Sequence, residues 1–390
     1  MQVFFNSIFG NIMTMSPSDA LKMVVMWIMG GILIYLAIKR EMEPALLLPL
    51  GFGAIMVNLP FSGAINQMVG GVMEHGALST LFDAGIANEL LPLLLFIGIG
   101  AMIDFGPMLS NPKLLFFGAA AHLGVFATIT VACVIGYISP GMFSLQDAAS
   151  VGIIGAADGP TAIFVANYYN TQYMGAILVA AYSYMALVPI IQPPCIRLVT
   201  TKKERMIRMP YKQSDISKTV RIVFPIVVTA IAGLIAPRSV ALVGFLMFGN
   251  LLRECGVLGS LSDTAQNAMA NTITLLLGIT VAVQMEASVF LTPQTLLIMI
   301  LGLFAFVVDT IGGVLFAKLI NVFLPEGKKI NPMIGGCGIS AFPMSSRVVH
   351  KMGIKEDPHN FLLMHAAGVN VSGQIASVII GGLVLNLIAR

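Results

Sequence analysis

Between Leu114 and Asp147 the chain carries no charged residue. That run is longer than the roughly 20 apolar residues a helix needs to cross a bilayer. Hydrocarbon offers the backbone no hydrogen-bond partner, so such a run must satisfy itself as helix. The pattern recurs along the chain. A sliding apolar window picks out segments at 21–38, 44–62, 88–104, 114–137, 149–168 and 172–192, then at 222–236, 239–254, 266–285, 293–322, 331–349 and 361–388. Only 10% of the residues are charged, against about a quarter in a soluble domain, so the chain has too little polar surface to face water all round. The expectation is an all-α polytopic membrane protein of roughly ten to twelve membrane segments.

The charges that exist are clustered. Lys202, Lys203, Arg205, Arg208, Lys212, Lys218 and Arg221 share one polar stretch, opposed only by Glu204 and Asp215. Positive loops stay in the cytoplasm, so 201–221 reads as a basic cytoplasmic loop. It is either a topology signal alone or also a docking surface for a soluble partner. A net charge of +3 implies no nucleic-acid partner. Cys133, Cys195, Cys255 and Cys337 are scattered without a CxxC pair and read as packing residues. Residues 1–14 are apolar but lack a basic leader, so 1–20 reads as an N-terminal interfacial segment and not a cleavable signal. No Walker A motif, GxGxxG after a strand or nucleophile elbow occurs, which argues against ATP hydrolysis as the driving reaction.

The basic loop splits the segments six and six, into a first repeat at 21–200 and a second at 222–390. Each half opens with two closely spaced segments, and Leu46 through Gly53 resembles Val240 through Gly249. In each, a segment then ends at an acid, Asp104 or Glu286, and a long uninterrupted one follows. The fifth segment of each half is broken by Gly, Pro and small polar residues: Gly152 through Phe164 in the first, Asn331 through Arg347 in the second. Gly and Pro free backbone groups from the helix ladder, so the break must be buried or line a wet cavity. Interrupted segments at matching places in two halves are the best sequence pointer to a transporter's binding site. An inverted repeat needs an odd number of crossings per half, and six becomes five if each broken segment is re-entrant.

Asp158 sits between the two arms of the first broken segment. A carboxylate at membrane depth costs at least about 2.5 kcal/mol and is a functional candidate by default. With freed carbonyls beside it, it suits a hard cation. The alternative is a structural cap of a half-helix. Asp309, the other deep carboxylate, pairs equally well with an ion or a neighbouring hydroxyl. Arg347 ends the second broken segment; its guanidinium suits a carboxylate held by two hydrogen bonds, or it is a snorkelling anchor beside Lys351 and Lys355. Asn331, Ser340, Asn370 and Ser372 gather around the second break and the helix after it, where such groups either form a site or bond between helices. Tyr184 is mid-segment and needs a partner for its hydroxyl. Tyr182 and Tyr211 read more readily as interface-belt residues. His122 and His365 lie mid-span, His75, His350 and His359 nearer segment ends, and no spacing among the five suggests zinc.

At these residues the chain resembles the beta subunits of biotin-dependent, sodium-translocating decarboxylases, whose members serve oxaloacetate, methylmalonyl-CoA, glutaconyl-CoA and malonate decarboxylases. The matching stretches are Gly155 through Ile163, Gly98 through Pro107, Asn331 through Val348 and His365 through Gln374, and the resemblance runs from about residue 20 onward.

The resemblance implies that Asp158 and Tyr184 are the family's essential acid and tyrosine. It implies a Na+ site of Asp158, Asn331, Gly335, Ser340 and Asn370. Tyr184 and Ser340 would lie in or beside the ion and proton path. Arg347 would act near carboxybiotin or the ion path, with Ser340 also a cofactor-side residue. It further implies an elevator-like core, with two broken helices moving against a scaffold. The chain lacks a Met-Lys-Met biotin attachment motif and a carboxyltransferase domain. So the resemblance places carboxybiotin on a partner and calls for a carboxyltransferase alpha subunit, a biotin carrier and a small gamma- or delta-type membrane subunit. Several copies in a multi-subunit complex of a bacterial inner membrane are implied too. Composition and periodicity alone fit a sodium-coupled carboxylate carrier without decarboxylase activity equally well. A passive anchor fits worse, because an anchor gains nothing from a buried carboxylate.

Overall fold

The computed structural model describes residues 16–60, 62–69, 72–210 and 216–388. The interfacial segment expected at 1–20 lies mostly outside the described residues, as do 211–215 of the basic loop with Tyr211, Lys212 and Asp215. The longer helices in chain order are α1 (Pro17–Arg40), α2 (Pro44–Val57), α3 (Leu90–Met102), α4 (Leu115–Ala121), α5 (Leu123–Ile138), α6 (Leu145–Gly152) and α7 (Gly159–Tyr169). They continue as α8 (Met174–Val199), α9 (Lys218–Ile235), α10 (Val240–Glu254), α11 (Ala270–Val281), α12 (Pro293–Phe323), α13 (Met344–Glu356) and α14 (Leu363–Leu387).

Every one of the twelve apolar segments is occupied by helix. Among the described residues, seven helical stretches are long and apolar enough to span a membrane, or eight if Ala77–Ala87 and Leu90–Met102 make one span. That is fewer than the segment count suggests, for two reasons. The segments at 44–62 and 239–254 fold as helices of 14 and 15 residues, and those at 149–168 and 331–349 are interrupted.

The chain divides into two units. The smaller comprises Met1–Pro92 and Asn271–Leu297. In it, Ser16 caps α1 by accepting from the Asp19 N–H, with Pro17 as the first helical residue. Asn58 ends α2 and donates to Ala54 O and Met285 O, both at 2.8 Å, while its Oδ1 accepts from Ala287 N at 2.7 Å. A small antiparallel pair, β1 (Gln67–Val69) and β2 (Val72–Glu74), was not foreseen. Three-residue strands leave no mark on a window of membrane length.

The larger unit comprises Leu93–Ala270 and Ile298–Arg390. Its core surrounds α14, the most buried of the spanning helices. Val369 packs with Phe117, Val188, Phe306 and Ile334, while Val371 and Ile375 on another face pack with Phe96, Leu242 and Leu246.

Both interrupted segments in this unit are hairpins. Ser144 and Asp147 form a reciprocal capping box that starts α6. A tight turn at Ile153–Ala156 follows, Ala157 adopts a left-handed φ of 53°, and α7 begins with Pro160 in its first turn. Beyond α7, Thr171 Oγ1 donates to Asp147 Oδ1 at 2.5 Å. The start and end of the segment therefore lie side by side, with Asp158 at the far tip.

The second hairpin closes on a strap, residues 200–209. Asn331 Nδ2 donates to Arg205 O and Ile207 O at 2.8 and 2.9 Å, and Asn360 Nδ2 donates to Arg205 O at 3.0 Å. Arg205 pairs with Glu356 at 2.8 Å and Arg208 grips Asp357 through two nitrogens. So residue 331, before the turn at Pro332–Gly338, and residues 356–360, after α13, meet the same few residues. Ser340 is near its tip.

The long helices order the two mouths. α8 starts just past Thr171 at the first mouth and ends at Val199, against the strap. Its 26 residues span about 39 Å if straight. The antiparallel α14 starts beside the strap, where His365 Nε2 lies 3.3 Å from Met209 O, and ends where the Tyr169 hydroxyl donates to Val384 O and Ile388 O. The mouths thus open at opposite ends and the tips meet between them: Ser340 N donates to Ala156 O at 3.0 Å.

Candidate functional site

Asp158 sits where the two tips meet, almost fully buried. It occupies the N-cap position of α7 but makes no capping bond to the backbone there. Instead its Oδ2 accepts from Thr161 Oγ1 at 2.7 Å, Ser377 Oγ at 2.9 Å and Gln374 Nε2 at 3.4 Å. Among the described residues, the bonds assigned to a single carboxylate oxygen all fall on Oδ2. Asn370, Gln374 and Ser377 are spaced i, i+4, i+7, so α14 presents them on one face.

The neighbouring oxygens are unusual for a protein interior. Ser340 Oγ lies beside the Asp158 carboxylate and has no other hydrogen-bond partner among the described residues. Asn370 Nδ2 donates to Ile339 O at 2.8 Å and Cys337 O at 3.3 Å, either side of the second tip, while its Oδ1 has no partner. The Tyr182 hydroxyl, on α8, is also buried and unpartnered. Each such group costs about 1–3 kcal/mol if nothing satisfies it.

Charge compensation is missing as well. Among the described residues, no Lys, Arg or His lies within ion-pair distance of Asp158. A buried carboxylate without a cationic side chain calls for a bound cation or a proton. The atoms left without another partner beside it, Ser340 Oγ, Asn370 Oδ1 and the Tyr182 hydroxyl, are oxygens, the kind of ligand a hard cation takes. Among the described residues, no three His, Cys, Asp or Glu side chains gather into a transition-metal site.

The residues singled out from sequence divide into two groups. Asp158, Ser340 and Asn370 converge at the tips. Asn331 is at the second mouth, both ends of its amide spent: Nδ2 on the strap carbonyls and Oδ1 on Met333 N at 3.1 Å. Gly335 serves backbone packing, since a Cβ there would lie 2.1 Å from Gly313 O of α12. Tyr184 donates its hydroxyl to Met299 O. Arg347 is exposed on the first turn of α13, and its side chain has no hydrogen-bond or ion-pair partner among the described residues. Ser372 bonds locally to Val369 O at 2.6 Å. Asp309 Oδ1 accepts from Gly124 N at 2.5 Å, and its Oδ2 has no partner.

Ser377 was not picked out from sequence, and Thr161 and Gln374 only as parts of motifs; Tyr182, read as an interface-belt residue, is instead buried on α8 against the first hairpin. A signal was present for two. Thr161 follows Asp158 by three residues, and Ser377 continues the helical face of Asn370.

At the strap, the charges are firmly held. The bidentate Arg208 bond and the His359 N–H keep Asp357 below the usual carboxylate range. Partial burial alone would raise Glu204, but Thr201 and Lys318 donate to it and bring it below its ordinary value.

Fold and site together define a polytopic helical membrane protein built around an uncompensated carboxylate between two hairpin tips. The comparisons with known proteins make that class specific. Residues 22–388 match the family model described as the Na+-transporting oxaloacetate decarboxylase beta subunit. The chain is 47% identical over 366 residues to methylmalonyl-CoA decarboxylase subunit beta of Veillonella parvula, covering 94% of this chain and 93% of that one. It is 46% identical over 364 residues to glutaconyl-CoA decarboxylase subunit beta of Acidaminococcus fermentans, with 93% and 92% covered. To the oxaloacetate decarboxylase beta chain of Klebsiella pneumoniae it is 42% identical over 412 residues, with 93% and 94% covered. The chain belongs to the family of beta subunits of Na+-transporting decarboxylases. It is a membrane subunit that acts with partner subunits, and the reading as a carboxylate carrier without decarboxylase activity is not favoured.

Proposed function

We propose that Na+, the transported ion, binds between the hairpin tips, held by Asp158 with Ser340 Oγ and Asn370 Oδ1 as further oxygens. One observation carries this reading: a buried carboxylate without a basic partner has beside it buried oxygens, Ser340 Oγ and Asn370 Oδ1, that find no other partner among the described residues. One negative charge with neutral oxygens balances a monovalent cation. Thr161, Gln374 and Ser377 fix the orientation of the carboxylate through Oδ2, which leaves Oδ1 toward the ion. Asn331 and Gly335, which the resemblance places among the ligands, act here as supports of the second hairpin.

Carboxybiotin, carried on a partner subunit, supplies the carboxyl group that leaves as CO2. This chain's part is to hold the ion, admit the proton that the reaction consumes, and keep the two linked. Tyr184 and Arg347 are the groups offered for the proton and carboxybiotin sides, Arg347 because its guanidinium fork is free. The partners are a carboxyltransferase alpha subunit, a biotin carrier and a small membrane subunit, and the location is a bacterial inner membrane with the basic strap in the cytoplasm. Two hairpins with mouths at opposite ends form an inverted pair of the kind that alternating access requires. Moving that pair against a scaffold, as an elevator does, exposes one ion site to the two sides in turn.

The test is substrate-driven 22Na+ uptake by the complex in proteoliposomes, for the parent and Asp158→Asn. Loss of uptake in the variant, with the complex still assembled, is expected. Parental uptake by the variant overturns the assignment.

A further inference from the structure

Tyr182 has no place in the reading so far, yet it packs on the residue next to Asp158. A Cβ built on Gly159 would lie 2.4 Å from both Cε1 and Cζ of the Tyr182 ring. Only glycine lets the ring lie so close to the chain at that point. Cζ carries the hydroxyl, so the oxygen is one C–O bond beyond this contact, at the tip of the first hairpin. Tyr182 is 1% exposed, and its hydroxyl has no hydrogen-bond partner. A phenylalanine would fill the same space without the cost of an unsatisfied hydroxyl.

Tyr184, two residues further along α8, faces a different way, as i and i+2 do on a helix. Its hydroxyl is satisfied by Met299 O and its ring touches Gly302 of α12. So of the two tyrosines it is Tyr182 that brings an unused oxygen to the carboxylate.

We infer that the Tyr182 hydroxyl is a further ligand of the Na+ held by Asp158. The inference rests on the ion site proposed above and adds an oxygen from a third element, α8, to those of the hairpins and α14. A phenol oxygen contributes a ligand without charge, so the site still carries a single negative charge and favours a monovalent over a divalent cation. It also ties ion occupancy to α8, the helix that joins the first mouth to the strap.

The experiment uses the assembled decarboxylase with Tyr182→Phe and Asp158→Asn, reading the Na+ dependence of substrate decarboxylation and the thermal midpoint with and without NaCl. For Tyr182→Phe the expected result is a rise of about tenfold in half-saturating Na+, the order of one lost polar ligand, with a smaller NaCl-induced rise in midpoint. Its midpoint without Na+ is expected to be equal to or above the parent's, because an unsatisfied hydroxyl has been removed. An unchanged Na+ half-saturation overturns the inference, and a lowered ion-free midpoint with unchanged half-saturation assigns Tyr182 to packing instead. If Asp158→Asn keeps the parental Na+ dependence, the underlying ion site fails. If that variant loses it while Tyr182→Phe does not change, only the inference on Tyr182 fails.

Discussion

The two deep carboxylates solve the same problem in opposite ways. Asp158 collects hydroxyl and amide donors on Oδ2, in a setting where Asn370 Oδ1 and the Tyr182 hydroxyl find no partner. Asp309 places Oδ1 on the N–H of Gly124, in the first turn of α5. A carboxyl oxygen there accepts from an N–H that the start of the helix leaves unpaired. The chain breaks at His122, between α4 and α5, and Asp309 fills the gap with an acceptor. The contact with Gly124 favours a structural role for Asp309, although its Oδ2 is left without a partner. Asp309→Leu strands the Gly124 N–H in an apolar setting, at about 1–3 kcal/mol, and is expected to lower the thermal midpoint of the purified complex. Asp309→Asn keeps the acceptor and is expected to hold the midpoint. Loss of Na+ transport in the Asn variant at an unchanged midpoint would move Asp309 into the ion path.

At the scale of elements, the broken helices were legible from Gly152, Gly155, Gly159 and Pro160 in one and from Pro332, Gly335, Gly336, Gly338 and Pro343 in the other. That they are hairpins stands in the sequence only as one alternative, the re-entrant form. Closure depends on bonds between residues far apart in sequence, Asp147 with Thr171 and Asn331 with a strap 126 residues before it, and no local propensity encodes those. Asn331 shows the limit well. An amide beside a broken helix looks like an ion ligand, but here its two donors close the second hairpin on Arg205 and Ile207. Asn331→Asp keeps the acceptor for Met333 N and turns a donor pair into a charge facing two carbonyls. Faster tryptic cleavage at Lys202, Lys203, Arg205 and Arg208 is expected, with half-saturating Na+ changing less than in Asp158→Asn. Parental protection of the strap together with lost Na+ dependence would return Asn331 to the ion site.

For the whole molecule, the membrane class and the positions of all twelve apolar segments followed from hydropathy, because lipid leaves a helix few alternatives. Three of the predicted ion residues, Asp158, Ser340 and Asn370, do converge, although they come from two breaks and a regular helix. The face of α14 that completes the set is hidden in a span whose composition is otherwise apolar. The convergence has a consequence for stability. An ion held by Asp158 of one hairpin, Ser340 of the other and Asn370 of α14 joins three elements, and adds to the backbone hydrogen bond that links the two tips, Ser340 N to Ala156 O. A ligand that binds only the folded state stabilises it by RT ln(1 + [L]/Kd), about 2.7 kcal/mol at a hundredfold excess over Kd. The thermal midpoint of the complex is therefore expected to rise with NaCl and not with KCl at equal ionic strength, and to lose that difference in Asp158→Asn. Hydrogen exchange should slow in 153–158 and 336–341 on adding Na+, while the mouths at 144–147 and 356–360, closed by their own side chains, should change little. Equal responses to the two salts, or protection spread evenly over tips and mouths, would mean that the ion does not bridge the hairpins.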